Sequence, residues 1–159
     1  MANSIYLTLQ GAKQGLISAG CGSLDSIGNK SQSTHQDQIF IHALQHMISR
    51  AQNSHHHPIV FRKPIDKSSP LLGISISENE SLECLFDFYR TNSEGSQEKY
   101  YTIKLTNAAL TNIHIDYPHS LTHAGMQPEE HVSVRYESII WQHHVAGTSG
   151  YSIWNDRVL

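Results

Sequence analysis

The feature that most restricts the fold is a period of two in the apolar residues. Ile5, Leu7 and Leu9 alternate with Tyr6 and Thr8, and Leu82, Cys84, Phe86 and Phe88 alternate with Glu83, Leu85, Asp87 and Tyr89. The same pattern returns at Leu16 to Cys21, Gln38 to Leu44, Ile59 to Phe61, Tyr101-Ile103-Leu105, Ile113-Ile115-Tyr117 and Val132-Val134-Tyr136. Successive side chains of a strand point to opposite faces, so each run predicts a strand with one greasy side. Turn-forming stretches bound the runs: a Gly/Ser-rich loop from 22 to 37, Thr91 to Ser96, and the segment holding Pro118 and Pro128. Short strands at this spacing predict an all-β sandwich or barrel.

Two places resist that reading. Ser69-Pro70 is a good helix start, with a capping hydroxyl followed by a residue that has no amide hydrogen to waste. The residues that follow, Leu71 to Glu80, include Gly73 and the alternating Ile74 and Ile76, so propensity leaves helix and strand both open. At Ile139-Ile140 the apolar parity flips. Either a bulge does this, or a sheet buried on both sides, the second cover then being another subunit.

The chain of 159 residues predicts one domain spanning 1–159. Net charge is −3, with no basic patch, so nucleic acid is an unsuitable partner. No apolar run reaches the ~18 residues of a membrane span, so no membrane insertion is expected. The start, MANSIYLTLQG, lacks the basic and apolar regions of a secretory signal. The two cysteines, Cys21 and Cys84, read as buried reduced thiols, with a disulfide open but not implied.

Catalytic motifs are not found. No phosphate loop or dinucleotide fingerprint occurs, and Gly147-Thr148-Ser149-Gly150-Tyr151 misses the nucleophile elbow because Tyr151 replaces its last glycine. The twelve histidines invite a metal. Yet His55, His56 and His57 are adjacent and cannot converge in extended chain. The better-spaced set is His114, Asp116, His119 and His123. The bland reading, solvated loop histidines, is preferred, and no metal or cofactor is expected.

Read in order, several pieces are identified together: Met1 to Leu9, Gly15 to Cys21, Gln36 to Phe40, Phe61-Arg62-Lys63-Pro64-Ile65-Asp66-Lys67-Ser68-Ser69-Pro70-Leu71-Leu72, Phe88 to Thr91, Tyr117-Pro118, Pro128 to Val132 and Gly147 to Ser152. With this order and spacing the chain resembles the Hcp (hemolysin-coregulated protein) family of bacterial type VI secretion systems. The resemblance implies a mainly β fold, a two-sheet β-barrel with one short α-helix starting near Ser69-Pro70. Gly73 to Ser77 depart from the better helix formers of the family, so a short or frayed helix is expected. It implies a structural tube subunit and not an enzyme: homohexameric rings stack into a tube. The implied partners are a contractile sheath around the tube, a spike protein at its tip and small effectors in its lumen. It implies assembly in the cytoplasm and ejection without a signal peptide. The chain is also expected to carry no toxin domain after the barrel.

The family's extended loop corresponds to about His46 to Pro58. Ring-stacking candidates are Arg50, Gln52, Asn53, His55 and His56 in that loop, with Lys30 and Gln32 in the loop near Lys30 to Gln36. Ring-interface or fold-motif candidates are Phe61, Lys63, Pro64, Asp66, Ser69, Pro70, Leu71 and Trp141. The competing readings are a monomeric barrel binding a small ligand, and a His-metal hydrolase. Histidine titrates near 6.5, so an assembly that sets His clusters face to face is expected to loosen near pH 5.

Overall fold

A computed structural model describes residues 3–154. Twelve strands are present among them: β1 (Asn3–Gly11), β2 (Gly15–Leu16), β3 (Ile39–Ile41), β4 (Ala43–Gln45), β5 (Ile48–Arg50), β6 (Ser54–His56), β7 (Ile59–Lys63), β8 (Leu82–Thr91), β9 (Gln97–Asp116), β10 (Glu129–Arg135), β11 (Ser138–His143) and β12 (Thr148–Ile153). Two α-helices accompany them, α1 (Leu24–Ile27) and α2 (Ser69–Ser77).

The barrel is organised by β9, a strand of 20 residues that serves both sheets. Its first half pairs with β8 and β11, its second half with β10. Pairing then runs from β1 through β8, β9 and β10 to β7. The segment 39–45 joins the two ends. Its first part, β3, pairs with β1, with Tyr6 opposite Phe40, and its second part, β4, pairs with β7, with Leu44 opposite Phe61. Between the parts, the amide of His42 donates to the Arg62 carbonyl at 2.8 Å. The ladder bends at His42 instead of running straight through: Ile39 and Ile41 enter the core and Phe40 is buried on the other face against Tyr6, while Ala43 faces out. A single alternation through 38–44 misses that corner.

The inward faces meet in one core that includes Leu7, Leu9, Ile39, Phe61, Phe86, Leu105, Val132 and Ile139, all nearly inaccessible. Helix α2 lies against β9 and buries Leu72 in this core. The segment from 69 is thus a helix of nine residues, short as expected. It is anchored by its single buried leucine more than by propensity. Its cap falls one residue earlier than the sequence suggests, at Ser68, because the Ser69 hydroxyl is engaged elsewhere.

Other departures have local causes. Residues 17–21 form turns instead of continuing a strand. Gly15 and Gly20 take φ of +74° and +70°, and the Ser18 hydroxyl accepts the Leu9 amide at 3.1 Å, which replaces strand pairing there. The loop 22–37 contains α1 and two 3₁₀ turns, Gly28–Lys30 and Ser33–His35. The parity flip at Ile139-Ile140 comes from a strand break at Tyr136-Glu137, where the chain leaves β10 in one sheet and enters β11 in the other.

Cys21 and Cys84 are both buried and unpaired. Burial pushes each thiol up to about 12, so almost no thiolate exists at neutral pH. Native protein is therefore expected to react with a disulfide reagent far more slowly than the urea-unfolded chain, in which both thiols should titrate. Fast stoichiometric labelling of the native protein would contradict the packing described here.

Candidate functional site

Two polar constructions and one projecting element stand out. The first construction lies where β7 runs into α2. Lys63 is fully buried, and its Nζ lies 2.7 Å from Glu130 Oε1 and 2.9 Å from Asp66 Oδ1, and donates to the Pro64 carbonyl at 3.0 Å. The Ser69 hydroxyl also donates to Glu130, while Asp66 Oδ1 accepts the Ser68 amide at 2.9 Å and the Ser68 hydroxyl. Strand parity forces this arrangement: Lys63 sits opposite Glu130 on the inward face of β7 and β10. A charge placed there must be paired.

The projecting element is the β5–β6 hairpin, a two-stranded sheet of its own, with Ser49 opposite His55. At its tip Arg50, Gln52 and Asn53 are exposed, as is His55. Its base is the second polar construction. His56 is only 7% exposed. Its Nδ1 lies 2.7 Å from the Tyr136 hydroxyl and its Nε2 lies 3.0 Å from Ser152 Oγ. His46 Nε2 reaches the same Tyr136 hydroxyl at 2.8 Å. The indole of Trp154 stacks on His56. Desolvation first, then the neighbouring His56 and His57, push the His46 pKa down.

The expected contact residues sort cleanly by burial. Arg50, Gln52, Asn53, His55 and Gln32 are exposed; Lys30 is half-buried and donates to Gln127 Oε1 at 3.1 Å. His56 differs from the other stacking candidates in being buried: the alternation of β6 turns its ring inward, toward Tyr136. Among the ring-interface or fold-motif residues, Phe61, Lys63, Pro64 and Asp66 lie inside the subunit and hold the fold together. Pro70 is exposed, and Ser69, Leu71 and Trp141 are half-buried. A cleft of ≈ 540 Å³ opens between Asn29, Lys30 and Gln32 on one side and Phe40, Met126 and Glu129 on the other.

The set His114, Asp116, His119 and His123 does not come together. The His119 ring accepts the amides of Leu121 and Thr122, His123 pairs with the Thr122 hydroxyl, and His114 lies against His131 across the β9–β10 ladder. Among the described residues no group of three or more His, Cys, Asp or Glu side chains is arranged to hold a metal ion. Nor is any described helix long and apolar enough to cross a membrane. Sequence reasoning missed His46, Tyr136 and Ser152, whose partners lie 80 or more positions away; the phase break beside Tyr136 was the one local hint.

The described residues thus form a β-barrel with a filled interior and a projecting hairpin whose tip is polar and exposed. Comparison with known proteins places this barrel in a family. The family model described as "Type VI secretion system effector, Hcp" matches residues 6–143. The "Major exported protein" of Pseudomonas aeruginosa PAO1 is 37% identical over 99% of both chains. The protein YhhZ of Escherichia coli K12 is 45% identical over 93% of this chain, which spans only 37% of that longer relative. Among solved structures, "Crystal structure of Hcp protein" superposes with a TM-score of 0.92 at 30% identity over 98% of this chain and all of the other. "Secreted protein Hcp3 from Pseudomonas aeruginosa" does so with a TM-score of 0.88 at 36% identity, again over 98% and 100%. The chain belongs to the Hcp family, the tube-forming structural proteins of type VI secretion systems.

Proposed function

We propose that this chain, as a single domain over 1–159, is a tube subunit that six copies close into a ring and that rings stack end to end. It catalyses no reaction. The observation that carries this reading is the full-length likeness to Hcp structures together with the β5–β6 hairpin, which leaves the barrel and presents only contact chemistry at its tip. Ring closure is a head-to-tail contact whose rotation happens to close. Stacking uses Arg50, Gln52, Asn53 and His55 of the hairpin and Lys30 and Gln32 beside the cleft, while Pro70, Leu71 and Trp141 take part in the ring contact. Each polar contact is worth a net ~0.5–1.5 kcal/mol, and a ring face repeats it six times. Weak single contacts then give a tube that holds when ordered and parts when released. The tube is built in the cytoplasm and exported without a signal peptide, inside a contractile sheath, with a spike protein at its tip and small effectors in its lumen.

Light scattering on tag-free protein tests the ring: the expected mass is near six times 17.9 kDa, with annular particles in negative stain. A stable particle of one subunit at every concentration would defeat it. The variant Arg50→Glu should leave the ring mass intact and shorten the stacks, because only the hairpin tip changes sign.

A further inference from the structure

We propose that His114 and His131, opposed across the β9–β10 ladder, form a two-imidazole site for an exchangeable divalent transition ion of the Cu²⁺ and Zn²⁺ class. The pair stands out by how the twelve histidines spend their rings. His35 bonds to Gln38, His42 to Glu129, His46 and His56 to Tyr136, and His57 to Ser49. His119, His123, His143 and His144 each bond to a backbone amide or a hydroxyl. That leaves His55, His114 and His131, and of these three only the last two face each other.

Strand register makes the pair. His114 stands directly opposite His131, and directly opposed side chains of an antiparallel ladder start about 4.5–5.5 Å apart at Cβ. The ring centres lie 5.5 Å apart, with the planes tilted by 48°. An ion bonded to one nitrogen of each ring at about 2.0–2.1 Å, with a bond angle of about 90–110°, would hold the ring centres about 4.5–5.2 Å apart. A small side-chain rotation closes that difference without moving the backbone. His114 is exposed, so an ion can arrive from solvent. His131 is half-buried, and its Nε2 is buried with no hydrogen-bond partner. With the ring proton on Nδ1, that nitrogen has a lone pair that nothing in the protein uses, and a bond to a cation would satisfy it.

The neighbours on the same face bear on which ion fits. Asp116, two residues beyond His114 on β9, is exposed and brings a negative charge. Glu129, opposite Asp116, is engaged by His42 at 2.7 Å. Arg62, opposite His131 on β7, is a flanking cation and works against any metal. Neutral imidazole suits Cu²⁺, Zn²⁺ and Ni²⁺, whereas Mg²⁺ and Ca²⁺ ask for oxygen ligands. Two protein ligands leave the other positions to water, so this is a docking point and not a structural metal centre with three or four protein donors. A rival pair lies in the hairpin. His55 and His57 have ring centres 6.2 Å apart, but His57 already spends its Nε2 on the Ser49 hydroxyl at 3.2 Å. An assembly of copies would carry the site once per subunit; that consequence rests on the tube reading, and the site itself does not.

Copper binding to tag-free, metal-stripped protein at neutral pH is the test. The probe is Cu²⁺–iminodiacetate, whose chelator leaves few positions free and so selects paired imidazoles over single ones. Titration calorimetry should show one tight event per subunit. Electron paramagnetic resonance at that stoichiometry should show coupling to two imidazole nitrogens. His114→Ala and His131→Ala should each weaken the event by at least roughly 10-fold, because the second ring no longer acts as an intramolecular ligand, and should leave coupling to one nitrogen. His114 is exposed, so its variant keeps the test decisive even where His131→Ala fails to fold. His55→Ala should leave the tight event unchanged. Tight binding that survives His114→Ala, tight binding that disappears in His55→Ala, or a wild-type affinity no better than that of His114→Ala would overturn the site.

Discussion

Replacing Lys63 with methionine is expected to destabilise the subunit by about 3–5 kcal/mol, the usual cost of leaving one side of a buried ion pair uncompensated. Total stability of a domain this size is of order 5–15 kcal/mol, so the variant should be largely unfolded in mild denaturant and should yield little ring. The reason is that Lys63 faces two carboxylates, Asp66 and Glu130, inside the barrel, and removing the cation leaves both without their only buried countercharge among the described residues. A companion variant, Lys63→Met with Asp66→Asn and Glu130→Met, removes the charges together and should recover much of the loss, since apolar replacements of whole buried networks are often neutral. Urea titrations followed by tryptophan fluorescence measure both. A single-variant loss below about 1 kcal/mol would mean that the triad is not the closed network described here.

The second large effect is expected at Glu80, which meets the turn between β1 and β2. Glu80 is 2% exposed, and its carboxylate accepts the amides of Lys13 and Gln14, each at 2.8 Å, and the Gln14 side-chain amide at 2.7 Å. It thereby shapes the turn between β1 and β2. Burial would raise its pKa, but the hydrogen bonds from the Gln14 side chain and from the Gln14 and Lys13 amides outweigh burial and hold it below the ordinary 4.5. Glu80→Ala should cost about 2–4 kcal/mol at neutral pH, since hydrogen bonds to a charged acceptor are the strong kind. The stabilisation is complete above 4.5 and is lost as pH falls through the lower folded value, so wild type and variant should converge in acid. Gly11 gives an independent check. A Cβ added there would lie 2.2 Å from Glu80 Oε2, so Gly11→Ala must expel the carboxylate. The alanine should be costly in wild type and cheap in the Glu80→Ala background, a coupling that a double-mutant cycle reads directly.

Much of the fold was legible because strand periodicity is a local signal. The runs at 5–9, 59–61 and 82–89 became strands with the expected faces inward, and the run from Val132 did so as far as Arg135. What failed was nonlocal or conformational. The run 16–21 kept its alternation but lost its partner to the Ser18 hydroxyl, which no propensity registers. The bend at His42 redirects the alternation of 38–44, and its cause is pairing with two different strands. The helix at 69–77 could not be decided from Gly73 and Ile74, because it is held by Leu72 in the core. The exposure of the candidate contact residues was legible in part. A hairpin tip is polar and short, so Arg50, Gln52, Asn53 and His55 could be expected at the surface, where they are found. His56 could not be separated from His55 without the register of β5 on β6, which turns one ring out and the next one in. The Lys63 triad was visible as a motif, but its role as an interior clamp depends on Glu130, 67 positions away.

The bend at His42 also bears on how the polypeptide reaches its native state. A seven-residue piece near the start must meet β1 on one flank and β7 on the other, while β1 itself waits for β8. The last seam of the barrel therefore cannot form during early synthesis, and the amino-terminal strand spends that interval with its greasy side uncovered. Long-separation pairing of this kind folds slowly and is prone to sticking. Cells that make this subunit in quantity should thus show their losses as insoluble nascent chains, and substitutions that stiffen the 39–45 corner should raise the soluble yield more than they raise the melting temperature.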